Sequence, residues 1–252
     1  MIQEIQSKID PKIIIGFKNY SMKNIGIIVF ARSNSKRLPN KVIKKILNKS
    51  LLEIVLMRVK KVSGKIPIIV NTSGRKSDDE IIKICKKNKI KYFRGSLKNV
   101  FKRTIDCCKK YNLESFVRVN ADRPFLDFKT MEKMITFFLL NKYDIVTNQY
   151  PRISPSGLAC EVATSKIFTE NLNKKISNNE QEHIFNFFYK NAKNYKIFNL
   201  KDNFYSKVKK YNLSIDTKKN FLKVKKIYEK YGFNILINMD TKKIIKKEFI
   251  KS

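Results

Sequence analysis

The 252-residue sequence has no tryptophan, one histidine, seven glycines and four cysteines. Each shortage removes a class of reading. A single histidine, His183, cannot supply a His-rich zinc site and argues against a Ser-His-Asp hydrolase. Cys85, Cys107, Cys108 and Cys160 form no CxxC pair, and the adjacent Cys107-Cys108 make a poor disulfide. They lie in apolar or helical stretches and read as reduced, mostly buried thiols of a cytoplasmic protein. No uninterrupted apolar run approaches the roughly 20 residues of a membrane span, so no membrane insertion is expected. The opening MIQEIQSKIDPK also lacks the apolar centre of a signal peptide. No glycine occurs from Ala31 to Asn48, after the first apolar run. That loop is therefore neither a GxGxxG dinucleotide turn nor a Walker A loop.

Acidic residues are scarce too: 55 Lys and Arg against 21 Asp and Glu leave a formal charge of +34. Such a balance would ordinarily suggest nucleic acid or an anionic membrane surface. The distribution argues otherwise. Lysines occur in nearly every segment, often as pairs such as Lys60-Lys61, Lys86-Lys87 and Lys109-Lys110. This reads as a diffuse enrichment in Lys, Ile and Asn more than a focused patch. A polyanion-binding surface remains the alternative.

The 42% apolar content can fill a core, and the length suits one large domain with a small lobe. Residues 1–23 form an N-terminal extension in which Lys12 to Phe17 reads as a strand or a docked arm. Ile25 to Phe30, IGIIVF, has the continuous apolar character of a buried parallel strand. Ser50 and Glu53 then make a capping box for a helix with Leu51, Leu52, Val55, Leu56 and Val59 on its apolar face. The unit repeats. Strands are expected at Ile66–Val70, Ile90–Phe93, Phe116–Val119 and Asp144–Thr147. Helices are expected after a second capping box at Ser77 and Glu80, at Asn99–Tyr111 and at Phe128–Leu140. Alternating strands and helices of this length give a mostly parallel, Rossmann-like α/β sheet flanked by helices. After Tyr150 the rhythm breaks at Pro151, Pro155, Ser156 and Gly157. A strand is expected at Glu161–Thr164, an aromatic-rich helix at Asn179–Asn191, and strands at Tyr195–Leu200 and Leu213–Ile215. Thr217 caps a last long helix to Tyr231, and residues 233–252 read as a basic, partly loose tail.

Ligands of open α/β sheets bind beyond the carboxyl ends of the strands. The loop after the first strand, ARSNSKRLPNK, carries Arg32, Lys36, Arg37 and Lys41 among hydroxyls and amides. Four cations in ten residues suit a polyphosphate, and arginine offers a rigid donor fork where lysine is nearer a point charge. At the end of the fourth strand, VRVNADRPFLD places Asp122 at the same edge. A carboxylate there could hold Mg²⁺ between phosphate oxygens or cap a local turn.

IGIIVFARSNSKRLPNKVIKKILNKSLLE resembles the opening of the sugar-activating cytidylyltransferases. It is most similar to the spore-coat polysaccharide branch and its 3-deoxy-manno-octulosonate and N-acylneuraminate relatives. Ala31, Arg32, Ser35, Arg37, Leu38, Pro39 and Lys41 match the pattern ARxxSxRLPGKxL, with Asn40 in place of its glycine. The resemblance runs from about Ile25 to Tyr228 and implies the nucleotide-diphospho-sugar transferase type of sheet for residues 24–232. It implies that Arg32 and Lys41 hold the CTP triphosphate while Ala31, Ser33, Asn34, Ser35 and Arg37 approach the nucleotide. It makes Asp122, in a segment similar to GDxPLID with Ala121 for glycine, a metal ligand, with Asn120 beside the ribose or positioning Asp122. Asp127 reads as a helix cap. Asp216, in LSIDTKKN, stands where the family places a second metal ligand, although Lys218, Lys219 and Asn220 replace its Pro-Glu-Asp.

Asn71, Thr72 and Arg75 follow the second strand and are nucleotide candidates by position. Arg94 and Ser96 are candidates through the likeness of FRGS to the family's FRGSEDDVLDRY; Arg103 is left between a pocket contact and a helix-surface residue. PRISPSGLACEV resembles PRTYPDGLDVEV, and so implies an acceptor and dimerisation region over about residues 150–212. Glu161 is kept there, while Ser156 and Ala159 replace two aspartates. EQEHIFNFFY is similar to REHVTPYIY and puts Glu182 and His183 at the acceptor end or a dimer contact. The expected activity is Mg²⁺-dependent transfer of CMP from CTP to a sugar or sugar acid, releasing pyrophosphate, by a cytoplasmic homodimer. Two alternatives stand beside it. One is a nucleotidyltransferase using another nucleotide or a phosphorylated small alcohol. The other is a weakened scaffold that binds polyanions or regulates.

Overall fold

The apolar run IGIIVF forms the strand at the middle of the parallel part of the sheet. β1 (Ile25–Phe30) pairs in parallel on one side with β4 (Ile68–Ser73) and on the other with β6 (Ser115–Asn120). The computed structural model describes residues 24–62 and 66–250, so the strand or arm expected at Lys12–Phe17 lies outside the described residues. β5 (Lys91–Gly95) extends the sheet beyond β4. Past β6 the direction reverses: β8 (Glu161–Thr164) runs antiparallel to β6 and to β7 (Ile145–Thr147), and β9 (Ile197–Asn199) runs parallel to β7. The order is β5-β4-β1-β6-β8-β7-β9, a mostly parallel sheet as expected. A separate two-stranded antiparallel ribbon, β2 (Lys45–Ile46) and β3 (Lys49–Ser50), leads into the first helix.

Period-two burial explains why both faces are covered. Ile25, Ile27 and Val29 enter one core layer, and Ile28 enters the other. The first layer is closed by α1 (Leu51–Val59), α4 (Phe128–Leu140) and α9 (Lys218–Tyr231). The Ser50–Glu53 capping box opens α1, and Thr217 with Asn220 opens α9. Asp127 caps α4, as read from the sequence. The second layer is closed by α3 (Val100–Lys110), α5 (Ser165–Glu170) and an aromatic cluster in which Phe101, Phe116, Phe168 and Phe188 meet.

Four expectations are corrected. The Ser77–Glu80 capping box does not form: a 3₁₀ turn spans Lys76–Asp78 and α2 (Asp79–Lys87) begins afterwards, because Asp78 turns inward to tertiary partners. The helix expected over 179–191 is two short ones, α6 (Asn178–Glu182) and α7 (Asn186–Lys190). The break at His183 buries Ile184 and Phe185 while Glu182 and His183 line the crevice. Leu213–Ile215 is not a strand. It crosses the sheet edge, donating Leu213 N to Ser156 O at 2.8 Å and Ile215 N to Asp122 O at 2.9 Å.

The expected loose tail is instead structured. After the short α8 (Asn203–Lys207) and α9, the chain forms α10 (Phe233–Asn238) and α11 (Thr241–Glu248). Leu236, Ile244 and Ile245 are fully buried. Arg58 on α1, also fully buried, donates Nε to Leu126 O at 2.7 Å, Nη1 to Leu236 O at 2.6 Å and Nη2 to Thr241 Oγ1 at 2.8 Å. It thereby ties α1, the start of α4 and the C-terminal helices together. Arg58→Met should lower unfolding free energy by roughly 3 kcal/mol, since it strands several buried acceptors. Urea unfolding checks this; an unchanged midpoint would show that the C-terminal helices dock without that guanidinium.

Candidate active site

The loop after β1 is folded against its own backbone and against the next strand. Ser35 N and Asn40 N both donate to Ser33 O at 2.9 Å. Ser33 N in turn donates to Asp78 Oδ1 at 2.8 Å. Asp78 is 1% exposed and its Oδ2 accepts from Ser73 Oγ at 2.5 Å, Thr72 Oγ1 at 3.0 Å and Ser73 N at 3.2 Å. Burial alone would raise this carboxyl, but the Ser73 and Thr72 hydroxyls and the Ser33 amide hold it below its ordinary range. Asn40 takes φ 58°, the left-handed conformation that asparagine tolerates better than most residues. The short turn Lys41–Ile43 starts there and aims Lys41 across the sheet edge.

Lys41 Nζ lies 2.6 Å from Asp122 Oδ2, 3.1 Å from Asp216 Oδ1 and 2.9 Å from the Ile215 carbonyl. Asp122 is placed by β6, whose last hydrogen bond runs from Ala121 N to Phe30 O at 3.0 Å. Asp216 is placed by the 213–215 crossing and by Ser214 Oγ, which donates to its Oδ2 at 2.9 Å. The exposed Arg37 adds an ion pair to Asp216 at 3.2 Å. Burial would raise the Asp216 carboxyl, but Lys41, Ser214 and Arg37 together hold it below its ordinary range. Around this cluster opens a crevice of about 650 Å³. Arg32 reaches over it to Glu182 at 2.5 Å.

The sequence profile of cytidylyltransferases matches residues 26–244, most of the chain. The chain belongs to the cytidylyltransferase family. It is 34% identical over 224 residues to an uncharacterized protein of Methanocaldococcus jannaschii, covering 89% of each chain. It is 26% identical over 218 residues to the spore coat polysaccharide biosynthesis protein SpsF of Bacillus subtilis, covering 84% of this chain and 89% of that one. The solved structure of a cytidylyltransferase from Leptospira borgpetersenii superposes with a TM-score of 0.83 at 26% identity, covering 91% of this chain and 98% of that one.

In this cytidylyltransferase, Ala31, Arg32, Asn34, Ser35, Arg37, Lys41, Asn120, Asp122, Glu182, His183 and Asp216 all line the one crevice. Other candidates stand behind it. Ser33 is buried on Asp78, and Thr72 gives its hydroxyl to the same carboxylate. Asn71 is fully buried in β4. Arg75 offers its carbonyl to Arg94, and Arg94 pairs with Asp79 at 2.8 Å, so both brace the turn between β4 and α2 and neither lines the crevice. The Ser96 carbonyl accepts from Arg103. Glu161 is 2% exposed and pairs with Arg118 at 3.1 Å, so it acts on the crevice through that arginine.

Several contributors escaped sequence reading. Arg118 is a cation in a buried strand, and that mismatch was a legible signal. Its guanidinium sits 5.9 Å from the Phe185 ring. Arg123, next to Asp122, hydrogen-bonds the Ala159 carbonyl. Gln149, Arg152 and Ser214 complete the wall. Asp78 was hidden by a capping pattern that points to its neighbours. Because the folded Asp78 pKa is depressed, its stabilisation is present above the unfolded carboxylate range and is lost as pH falls through the folded value. Asp78→Asn should therefore lower stability at neutral pH and flatten the acid-side loss. Urea midpoints at neutral pH and at about pH 3.5 test this, and parallel pH profiles in both proteins would contradict it.

Proposed function

We propose that this cytidylyltransferase transfers CMP from CTP to a sugar or sugar acid destined for a surface glycan, releasing pyrophosphate. The observation that carries the reading is the meeting of Lys41 with Asp122 and Asp216 at one crevice, with Arg32 and Arg37 beside them. The similarity to the Bacillus subtilis spore coat protein supports the glycan destination.

Attack of an acceptor oxygen on the α-phosphorus of CTP needs positioning and charge neutralisation more than a covalent nucleophile. Lys41 has a flexible stem and a compact charge, so an arriving triphosphate can draw its ammonium away from the carboxylates. Arg32 supplies a second cation to the same phosphates. Asp122 and Asp216 are then two hard oxygen donors facing the ligand. Mg²⁺ characteristically takes one or two carboxylates and completes its shell with water and substrate phosphates, so the pair fits that ion. Among the described residues no group of three or more His, Cys, Asp and Glu could hold a metal. Bound there, Mg²⁺ would neutralise phosphoryl charge and lower the proton affinity of the attacking oxygen. Asn120 and the backbone of 31–35 are placed to orient the nucleotide. Arg118, Arg123 and His183 face the acceptor end.

A half-open, cation-lined crevice that includes Asp122 favours this reading over a polyanion-binding surface, which would need a broad flat stripe. No helix among the described residues is long and apolar enough to cross a membrane. Pyrophosphate release should be seen with CTP and Mg²⁺ in a screen of the four nucleoside triphosphates against sugar acids and sugar phosphates. Asp122→Asn should cut transfer by at least about 100-fold while CTP binding, followed by calorimetry, largely persists. Full turnover in the variant would remove Asp122 from the reaction.

A further inference from the structure

Arg103 is 2% exposed, yet it lines the crevice beside Phe30, Val100 and Arg32. Gly95 explains how an arginine reaches that depth. A Cβ on Gly95 would lie 2.7 Å from Arg103 Cγ and 3.3 Å from its Cδ, so the stem passes across the bare glycine at the end of β5. Nη1 donates to the Ser96 carbonyl at 2.7 Å, whereas Nε is buried without a hydrogen-bond partner. Among the described residues Arg103 makes no ion pair. Asp78 offsets its charge from a distance, but that carboxylate is already taken up by Ser33, Thr72 and Ser73. Burial, reinforced by the neighbouring charge of Arg32, pushes the guanidinium down to about 10, still fully protonated at neutral pH.

Buried charges are ordinarily paired, because an unpaired one forfeits hydration with nothing in return. A cation held this way at the wall of a binding crevice, with a second arginine beside it, is short of an anion. The free Nε edge of a guanidinium is a fork that donates to two oxygens of one phosphate. We infer that Arg103 and Arg32 form an anion subsite on the α3 side of the crevice, and that a phosphoryl group of the bound nucleotide supplies the missing counter-charge. This rests on the nucleotide reading of the crevice and extends it to a residue on the opposite side from Lys41. Lys41 and Arg103 then hold the polyphosphate from two directions, which fixes its path.

The test uses the full chain and calorimetric titration with CTP, inorganic tripolyphosphate and cytidine. Arg103→Met should weaken CTP and tripolyphosphate by about 30-fold each and leave cytidine unchanged. Arg103→Lys, which keeps the charge but not the fork, should fall between. Gly95→Ala, which displaces the stem, should weaken the same two ligands. Melting of each unliganded variant separates lost folding from lost binding. Unchanged CTP and tripolyphosphate affinity in a folded Arg103→Met protein would overturn the inference and make Arg103 a packing residue. So would equal weakening of CTP and cytidine. If the wild type takes tripolyphosphate but not CTP, the base assignment fails while the Arg103 comparison is still read on tripolyphosphate. If it takes no phosphate ligand, both fall.

Discussion

One ammonium group organises the catalytic edge. Lys41 bridges Asp122 and Asp216, which lie 81 and 175 residues away in sequence, and adds a bond to the Ile215 carbonyl. Without it two carboxylates would face each other across a partly closed crevice, and their repulsion would open it or protonate one of them. The contact also holds the 213–215 crossing against the strand ends, and that crossing has no ladder of its own beyond single bonds to Ser156 and Asp122. The arrangement suits a nucleotide enzyme. On the proposed reading, the charge that bridges the two carboxylates is the one a triphosphate would recruit, and the carboxylates it would release are those a cation would need.

The two ends of the crevice are built differently. On the phosphate side the loop is fixed from behind by Asp78, a buried acid whose oxygens are filled by local donors, so its charge orients the loop without facing the ligand. Toward Arg118 and Arg123 the walls carry arginines. Arg118 shares Glu161, and Arg123 has a backbone carbonyl. Ser156 and Ala159 stand there in place of aspartates of the family pattern, and both line the crevice. The exchange leaves this wall, which also carries Arg118, Arg123 and Arg152, more positive than the pattern would make it.

Strands and helices with strong apolar periodicity were legible. IGIIVF, the Ser50–Glu53 box and the Thr217 cap all describe local preferences that the fold keeps. The first loop and Asp122 were legible by position, each following a buried strand at the same sheet edge, whereas Asp216, alone an ordinary capped helix boundary, was singled out only through the family resemblance. What stayed hidden depended on distant partners. Asp78 forgoes a local cap for the 31–35 loop and the end of β4. Leu213–Ile215 has strand composition but is spent crossing the sheet edge. The run 179–191 has helical composition and is broken at His183. The lysine-rich end looked loose because its buried residues, Leu236, Ile237, Thr241, Ile244, Ile245 and Phe249, are spaced among lysines, and the Arg58 that anchors the segment lies far upstream.

The excess charge can now be separated from the site. Nine of the 55 cations are arginines, and six of those nine line the crevice: Arg32, Arg37, Arg103, Arg118, Arg123 and Arg152. Of the lysines among the described residues, Lys36 and Lys41 alone do so. A further arginine, Arg58, is a buried hub, and Arg75 and Arg94 brace the turn between β4 and α2. A background preference for lysine would place both cations alike if only charge mattered. Their separation shows where geometry matters: arginine persists where a planar fork must meet carbonyls, carboxylates or phosphates, and lysine spreads where a solvated charge suffices. The exception supports the rule. Lys41 sits where one compact charge meets two carboxylates and a carbonyl at once, and on the proposed reading a flexible stem would let it move from them to phosphates.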